Sequence, residues 1–210
     1  MLLCNYFPLL HLAGIAWWAS RLGGWHGTLT FIAGLYLLPP LLCRIVLWRR
    51  PLPGGTYALD SPEFLTWWMT AQLQMVFCRL PFLEELLRLV PALYSAWLRL
   101  WGSKIGSLVF WSPGLRILDR SFLQIGDGVV TGAGVRLNAH VIDITDGKRI
   151  LHVATIHIGA GANVGGYSLA SAGSTVAAGE TLHAFALLPP FSRWEGGKRT
   201  RLAHPENRSL

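Results

Sequence analysis

The sequence predicts two unlike parts: a mainly β C-terminal half wound as a left-handed parallel β-helix, and an N-terminal α-helical region that anchors it to a membrane. Three observations predict this. From Ile158 the chain reads IGAGAN, VGGYSL, ASAGST, VAAGET, LHAFAL, so that Ile158, Val164, Ala170, Val176 and Leu182 recur at every sixth residue. Upstream, the runs Leu2 to Ala19 and Gly27 to Cys43 hold no charged residue. Finally, 52% of the 210 residues are hydrophobic against 14% charged, and nine of the ten tryptophans lie between Trp17 and Trp111. An ordinary soluble domain carries about 25% charged residues.

As a helix, the first uncharged run rises about 27 Å, close to the hydrocarbon thickness of a bilayer. It lacks a basic leader and a small-residue cleavage site, which disfavours a removable signal peptide. A turn from Arg21 to His26 precedes the second run, which Pro39 and Pro40 should kink. That run ends in Arg44, Arg49 and Arg50, which outweigh Arg21. The positive-inside bias therefore puts the C-terminal side of a transmembrane hairpin, residues 1–57, on the cytoplasmic side of the inner membrane. A pair of buried core helices is the competing reading, because both runs are short for spanning.

Residues 58–102 read as amphipathic interfacial helices. Ser61, Pro62 and Glu63 supply a capping hydroxyl, a first-turn proline and an acid at the positive helix end. The apolar residues that follow are interrupted by Arg79, Glu84, Glu85, Arg88 and Arg99, and Pro81 and Pro91 divide the segment.

Residues 103–190 carry the coil, with an earlier run IGDGVV, TGAGVR, LNAHVI placing Ile125, Thr131 and Leu137 in the same role. Each six-residue unit makes one flat side of a triangular turn, and its first residue points inward onto the turns above and below. Glycines serve the corners, where positive φ is needed. Residues 105–187 supply roughly four to five such turns. The period breaks between Ile142 and Leu151, where an Asp-Gly signal predicts an extruded loop or hairpin. Residues 191–210 form a basic tail, with Arg193, Lys198, Arg199, Arg201 and Arg208 against Glu195 and Glu206.

The net charge of +7 points to an acidic partner, either anionic lipid or an acidic carrier protein. No nucleic-acid motif is visible, so nucleic acid is not expected as a partner. Cys4, Cys43 and Cys78 are odd in number and sit in apolar runs, which fits small buried hydrophobes and no metal or disulfide framework.

Acyl transfer from a thioester needs a base for the nucleophile's proton and donors for the oxyanion, with no tightly bound cofactor. His140 is the candidate base, with Asn138 and Asp143 as possible orienting groups in the same stretch. The segments Leu98–Gly106, Leu123–Gly128, Asn138–His140, Ile156–Gly159 and Ser192–Gly196 resemble the hexapeptide acyltransferase-like terminal domains of nonribosomal peptide synthetases of the poly-lysine synthetase kind. The resemblance covers about half the chain. It implies that His140 acts as base while an amine attacks a carrier-bound aminoacyl thioester. This chain departs from the family in having one such domain, no adenylation or carrier module, and a longer, less acidic loop after the histidine.

The small-residue flank, including Gly165 and Gly166, offers a smooth groove for a phosphopantetheine arm of a carrier protein or of CoA. Arg193, Trp194, Lys198 and Arg199 offer a docking patch for an acyl or peptidyl carrier protein. Such coils usually form homotrimers. Three other readings stay open: an acetyl-CoA-dependent sugar O-acetyltransferase, a zinc site of the carbonic anhydrase kind built from His140, His152 and His157, and a noncatalytic membrane scaffold.

Overall fold

The computed structural model describes residues 2–145 and 147–202, so Asp146 and the tail residues Glu206 and Arg208 lie outside the described residues. The chain opens with α1 (Leu2–Asn5), α2 (Phe7–Leu22) and α3 (Gly24–Arg49). Gly23 and Gly24 reverse the chain at φ 63° and 50°, a conformation open to glycine at little cost. The two long helices then lie close: a Cβ at Gly27 would stand 2.3 Å from the Ala19 carbonyl oxygen, and one at Gly34 would stand 2.8 Å from Ile15. Helix α3 continues through Pro39 and Pro40 to Arg49. By length and composition α3 can cross a membrane, whereas α2 has only 16 residues. Trp17, Trp18, Trp25, Leu29 and Ile32 are exposed on this hairpin.

Strand β1 (Gly55–Ala58) follows, across the boundary that the sequence sets between the hairpin and the next segment. Then come α4 (Pro62–Arg79), α5 (Phe82–Arg88) and α6 (Leu93–Leu100). As expected, the Ser61 side chain caps α4, accepting from the Phe64 N–H at 3.1 Å. The expectation that α4 lies on a membrane surface is corrected. Phe64, Trp67, Leu73, Val76 and Phe77 are buried between the hairpin and the coil, and so are Thr66, Thr70, Gln72 and Gln74. A helix covered on opposite faces needs no apolar stripe, which is why the sequence of α4 is mixed. Helices α5 and α6 do keep an exposed apolar side, formed by Phe82, Leu86, Leu89, Val90 and Leu93.

From Lys104 the chain winds through three sheets in rotation, visiting each once per turn. The first is β2 (Lys104–Ile105), β5 (Leu123–Ile125), β10 (Ile156–Ile158), β13 (Thr175–Val176) and β16 (Ser192–Glu195), edged by antiparallel β17 (Lys198–Arg201). The second is β3 (Phe110–Trp111), β6 (Val130–Thr131), β11 (Asn163–Val164) and β14 (Thr181–Leu182). The third is β4 (Arg116–Ile117), β7 (Arg136–Asn138), β12 (Leu169–Ser171) and β15 (Leu187–Leu188). All pairings within these stacks, β17 aside, are parallel, which makes a three-sided parallel β-helix.

The inward stacks are those the six-residue period predicts. Ile105, Ile125, Ile158 and Val176 align on one side, Thr131, Val164 and Leu182 on the second, and Ile117, Leu137, Ala170 and Leu188 on the third. All are buried. Corner glycines fall into two classes. Gly128, Gly161 and Gly179 share one corner with φ of 64° to 72°. Gly126 and Gly159 instead answer to contact, since a Cβ there would lie 2.4 Å from the backbone nitrogen of Ala160 or Ala178 in the next turn.

Between β7 and β10 the expected extrusion is a hairpin of β8 (His140–Thr145) and β9 (Lys148–Val153). Strand β1 pairs with β9 from Gly55↔Val153 to Ala58↔Ile150, so the N-terminal half is stitched onto this hairpin.

Candidate active site

His140 is the first residue of β8, where the chain leaves the coil, and the buried Ala139 before it fixes the exit point. One turn earlier at the same corner, the chain passes from β4 through Leu118, Asp119 and Arg120 to β5. The two corners meet: His140 Nδ1 lies 2.6 Å from Asp119 Oδ2. The other carboxylate oxygen accepts the indole N–H of Trp67 from α4 at 3.1 Å, and the Trp67 ring lies 4.7 Å from the imidazole centroid. Asp119 is 2% exposed, while the His140 side chain keeps 21% of its surface.

This geometry fixes a tautomer. With Nδ1–H donated to the buried carboxylate, Nε2 is left as the lone-pair nitrogen turned away from Asp119. Burial pulls the imidazole pKa down, but the Asp119 charge and its hydrogen bond outweigh burial and hold it above the ordinary value of 6.5. The pair has the arrangement of a general base backed by a carboxylate.

The turn that presents Asp119 is pinned by its neighbour. Arg120 is 1% exposed, and its guanidinium pairs with the buried Glu84 of α5. The Gln74 amide oxygen accepts from the Arg120 backbone N–H at 2.7 Å and from its Nη1 at 3.2 Å. Ser103 Oγ donates to the Arg120 carbonyl at 2.6 Å. Phe77, Trp97 and Trp101 surround the cation, with ring centroids 5.7 to 5.9 Å away. Glu84 also accepts the Tyr94 hydroxyl and the Arg88 guanidinium, so one carboxylate serves three donors.

The remaining residues singled out from the sequence are placed elsewhere. The imidazole's partner is Asp119, not Asp143 or Asn138. On β8 side chains alternate, and exposed Asp143 turns its carboxylate to the Ile144 N–H at 2.7 Å. Asn138 lies in β7, in register with Ser171. Gly165 and Gly166 are explained by packing, since a Cβ at Gly165 would meet Ala184 N at 2.3 Å and one at Gly166 would meet the Ala133 carbonyl at 3.1 Å. Arg193 pairs with Glu195 at 2.7 Å, and Trp194 donates its indole N–H to the Thr181 carbonyl at 3.1 Å. Lys198 and Arg199 are exposed on β17. Arg199 and Asp143 share a cavity of about 500 Å³ with His152 and Ser192, so the expected thioester-arm and docking residues do not converge on one groove.

The three histidines of the zinc reading do not gather either. His140 Nδ1 is engaged by Asp119, His152 Nδ1 lies 3.0 Å from Thr56 Oγ1, and His157 faces outward from β10 beside Gln124 and Thr175. Among the described residues no group of three His, Cys, Asp or Glu could hold a metal ion.

Two site residues escaped the sequence reading, Asp119 and Trp67. A signal for the first existed: the successive inward residues Ile117 and Ile125 stand eight apart where the period asks for six, and an adjacent Asp and Arg fall in that interval. For Trp67 there was none.

No family model and no curated protein sequence matches the chain. Among solved structures it is similar to a hexapeptide-repeat acetyltransferase of Vibrio cholerae complexed with acetyl coenzyme A, at 20% identity and TM-score 0.40 over 50% of this chain and 62% of that one. It is also similar to a maltose O-acetyltransferase of Clostridium difficile, at 15% identity and TM-score 0.41 over 74% of this chain and 95% of that one. A galactoside acetyltransferase in complex with coenzyme A is similar at 12% identity and TM-score 0.38, over 74% and 88% of the two chains. The chain thus spans under two thirds of the first of these structures. None of the three is a peptide synthetase.

Proposed function

We propose that the chain is a membrane-anchored acyltransferase. Its coil is read as a left-handed β-helix of the hexapeptide kind, and it moves an acyl or aminoacyl group from a phosphopantetheine thioester to an amine or hydroxyl. The donor is a carrier protein, as the poly-lysine synthetase resemblance implies, or coenzyme A. His140 Nε2 takes the acceptor's proton while Asp119 holds the ring and balances the imidazolium that forms. The single observation that carries the reading is the His140–Asp119 pair at 2.6 Å, built where the coil, α4 and the extruded hairpin meet.

For anchoring, the support is the apolar α2–α3 hairpin with its exposed tryptophans and the arginines after it. The reading places the coil on the cytoplasmic side of the inner membrane, as a homotrimer. The testing experiment follows intact masses when purified protein is incubated with acetyl coenzyme A, or with an aminoacyl-loaded carrier protein, and a panel of amines and sugars. Wild type should consume one donor, and His140→Ala should not while keeping wild-type circular dichroism. Equal turnover by the variant would remove the base from the mechanism.

A further inference from the structure

A cleft of about 500 Å³ opens where the C-terminal end of α3 meets the first turn of the coil, walled by Arg44, Ile45, Leu47, Trp48, Trp101 and Ser121. The catalytic proposal makes no use of it. Ile45 and Trp48 of α3 are exposed, whereas Trp101 is fully buried. Arg44 is exposed, and its one hydrogen bond among the described residues reaches the Arg99 carbonyl at a long 3.5 Å. Most of its donors are therefore unclaimed.

Arg49 and Arg50 lie within two turns of Arg44 and add to the local positive potential. An occupant must offer an anionic group rich in acceptors at one end and an apolar body at the other.

We infer that this cleft binds the headgroup of a membrane phospholipid, with the phosphate on Arg44 and the upper acyl carbons along Ile45 and Trp48. Free phosphate fits only half of this wall. The inference rests on the membrane reading above. The site also adjoins the Asp119–Arg120–Ser121 turn, since Ser121 lines it while Ser121 Oγ contacts Cys43 of α3 at 3.3 Å. A bound lipid would thus brace the corner that presents the dyad.

The test uses the full chain. Wild type, Arg44→Ala, Arg44→Lys and, as a control at the other end of the hairpin, Arg21→Ala are floated on phosphatidylglycerol-containing liposomes. They are then extracted in mild detergent and weighed by native mass spectrometry. Wild type should keep one phosphatidylglycerol; Arg44→Ala should lower the retained fraction about tenfold, the scale of losing one charge-assisted hydrogen bond. Arg44→Lys should recover part of it, and Arg21→Ala should match wild type. Loss of lipid to the same degree in both alanine variants, no retained lipid in wild type, or its displacement by millimolar inorganic phosphate would overturn the site. Wild type that fails to float would overturn the membrane reading and this inference with it. Wild type that floats, with lipid retained by Arg44→Ala, would overturn the inference alone.

Discussion

Two seams hold this molecule together, and they are made of different materials. Between successive turns of the coil the contact is aliphatic and repeated, with Ile125, Ile158 and Val176 each seated on the next. Between the first turns and the helices it is polar and unrepeated, with Asp119 satisfied by Trp67 and His140, and Arg120 by Gln74 and Glu84. A stack of equivalent apolar contacts can lose one member and pay only for the space left behind. A buried ion network cannot, because each removed partner strands a charge out of water.

The largest expected effect is on turnover at the polar seam. His140→Ala should lower donor consumption by about 10² to 10⁴-fold, the usual share of general base catalysis. Glu84→Ala comes next: it strands Arg120 and should cost about 3–5 kcal/mol in denaturant unfolding. Leu137→Ala, a cavity within the coil, should cost about 2–5 kcal/mol. A Glu84→Ala cost under about 3 kcal/mol would erase the distinction between the seams.

Asp119→Asn separates orientation from charge. Since the base works only when unprotonated, wild-type activity should rise with pH through a value above 6.5. Removing the carboxylate takes away the charge that raises this pKa, so the acid limb should move to lower pH while the plateau falls. A pH–rate profile reads both, and an unmoved limb would break the pairing. The smallest effect is expected at Tyr167, which keeps φ at 58° in a corner where Gly114 and Gly134 are glycines. Tyr167→Gly should change stability by about 1 kcal/mol or less, because relief of the backbone offsets the lost stacking on Phe185, whose ring lies 5.3 Å away.

The same contrast decides what could be read from the sequence. The coil is periodic, so Ile158, Val164 and Ala170 announce one another; a pattern of period six survives substitutions at any single place. The extruded hairpin was visible as an interruption of that period, and His140 as the histidine at its edge. Asp119 and Trp67 obey no period and lie 21 and 73 residues from His140, so their meeting depends on how turns stack and how α4 docks. Asp143 was the nearer acid in sequence, yet strand alternation sends neighbouring side chains to different faces. The mixed sequence of α4 has a related cause, because burial from two sides looks like patchy polarity in one dimension.

Eighteen residues separate Ile158 from Val176, Val164 from Leu182 and Ala170 from Leu188. With every partner so spaced, the upper part of the molecule behaves as a modular column. A copy of one whole winding inserted after Ser171 would meet matching surfaces above and below, lengthening the protein without touching the corner that holds the imidazole. An insertion that is not a whole number of windings would have to leave the coil as a loop, as the β8–β9 hairpin does. Reach away from the helical end is therefore an adjustable property of this architecture, independent of its chemistry.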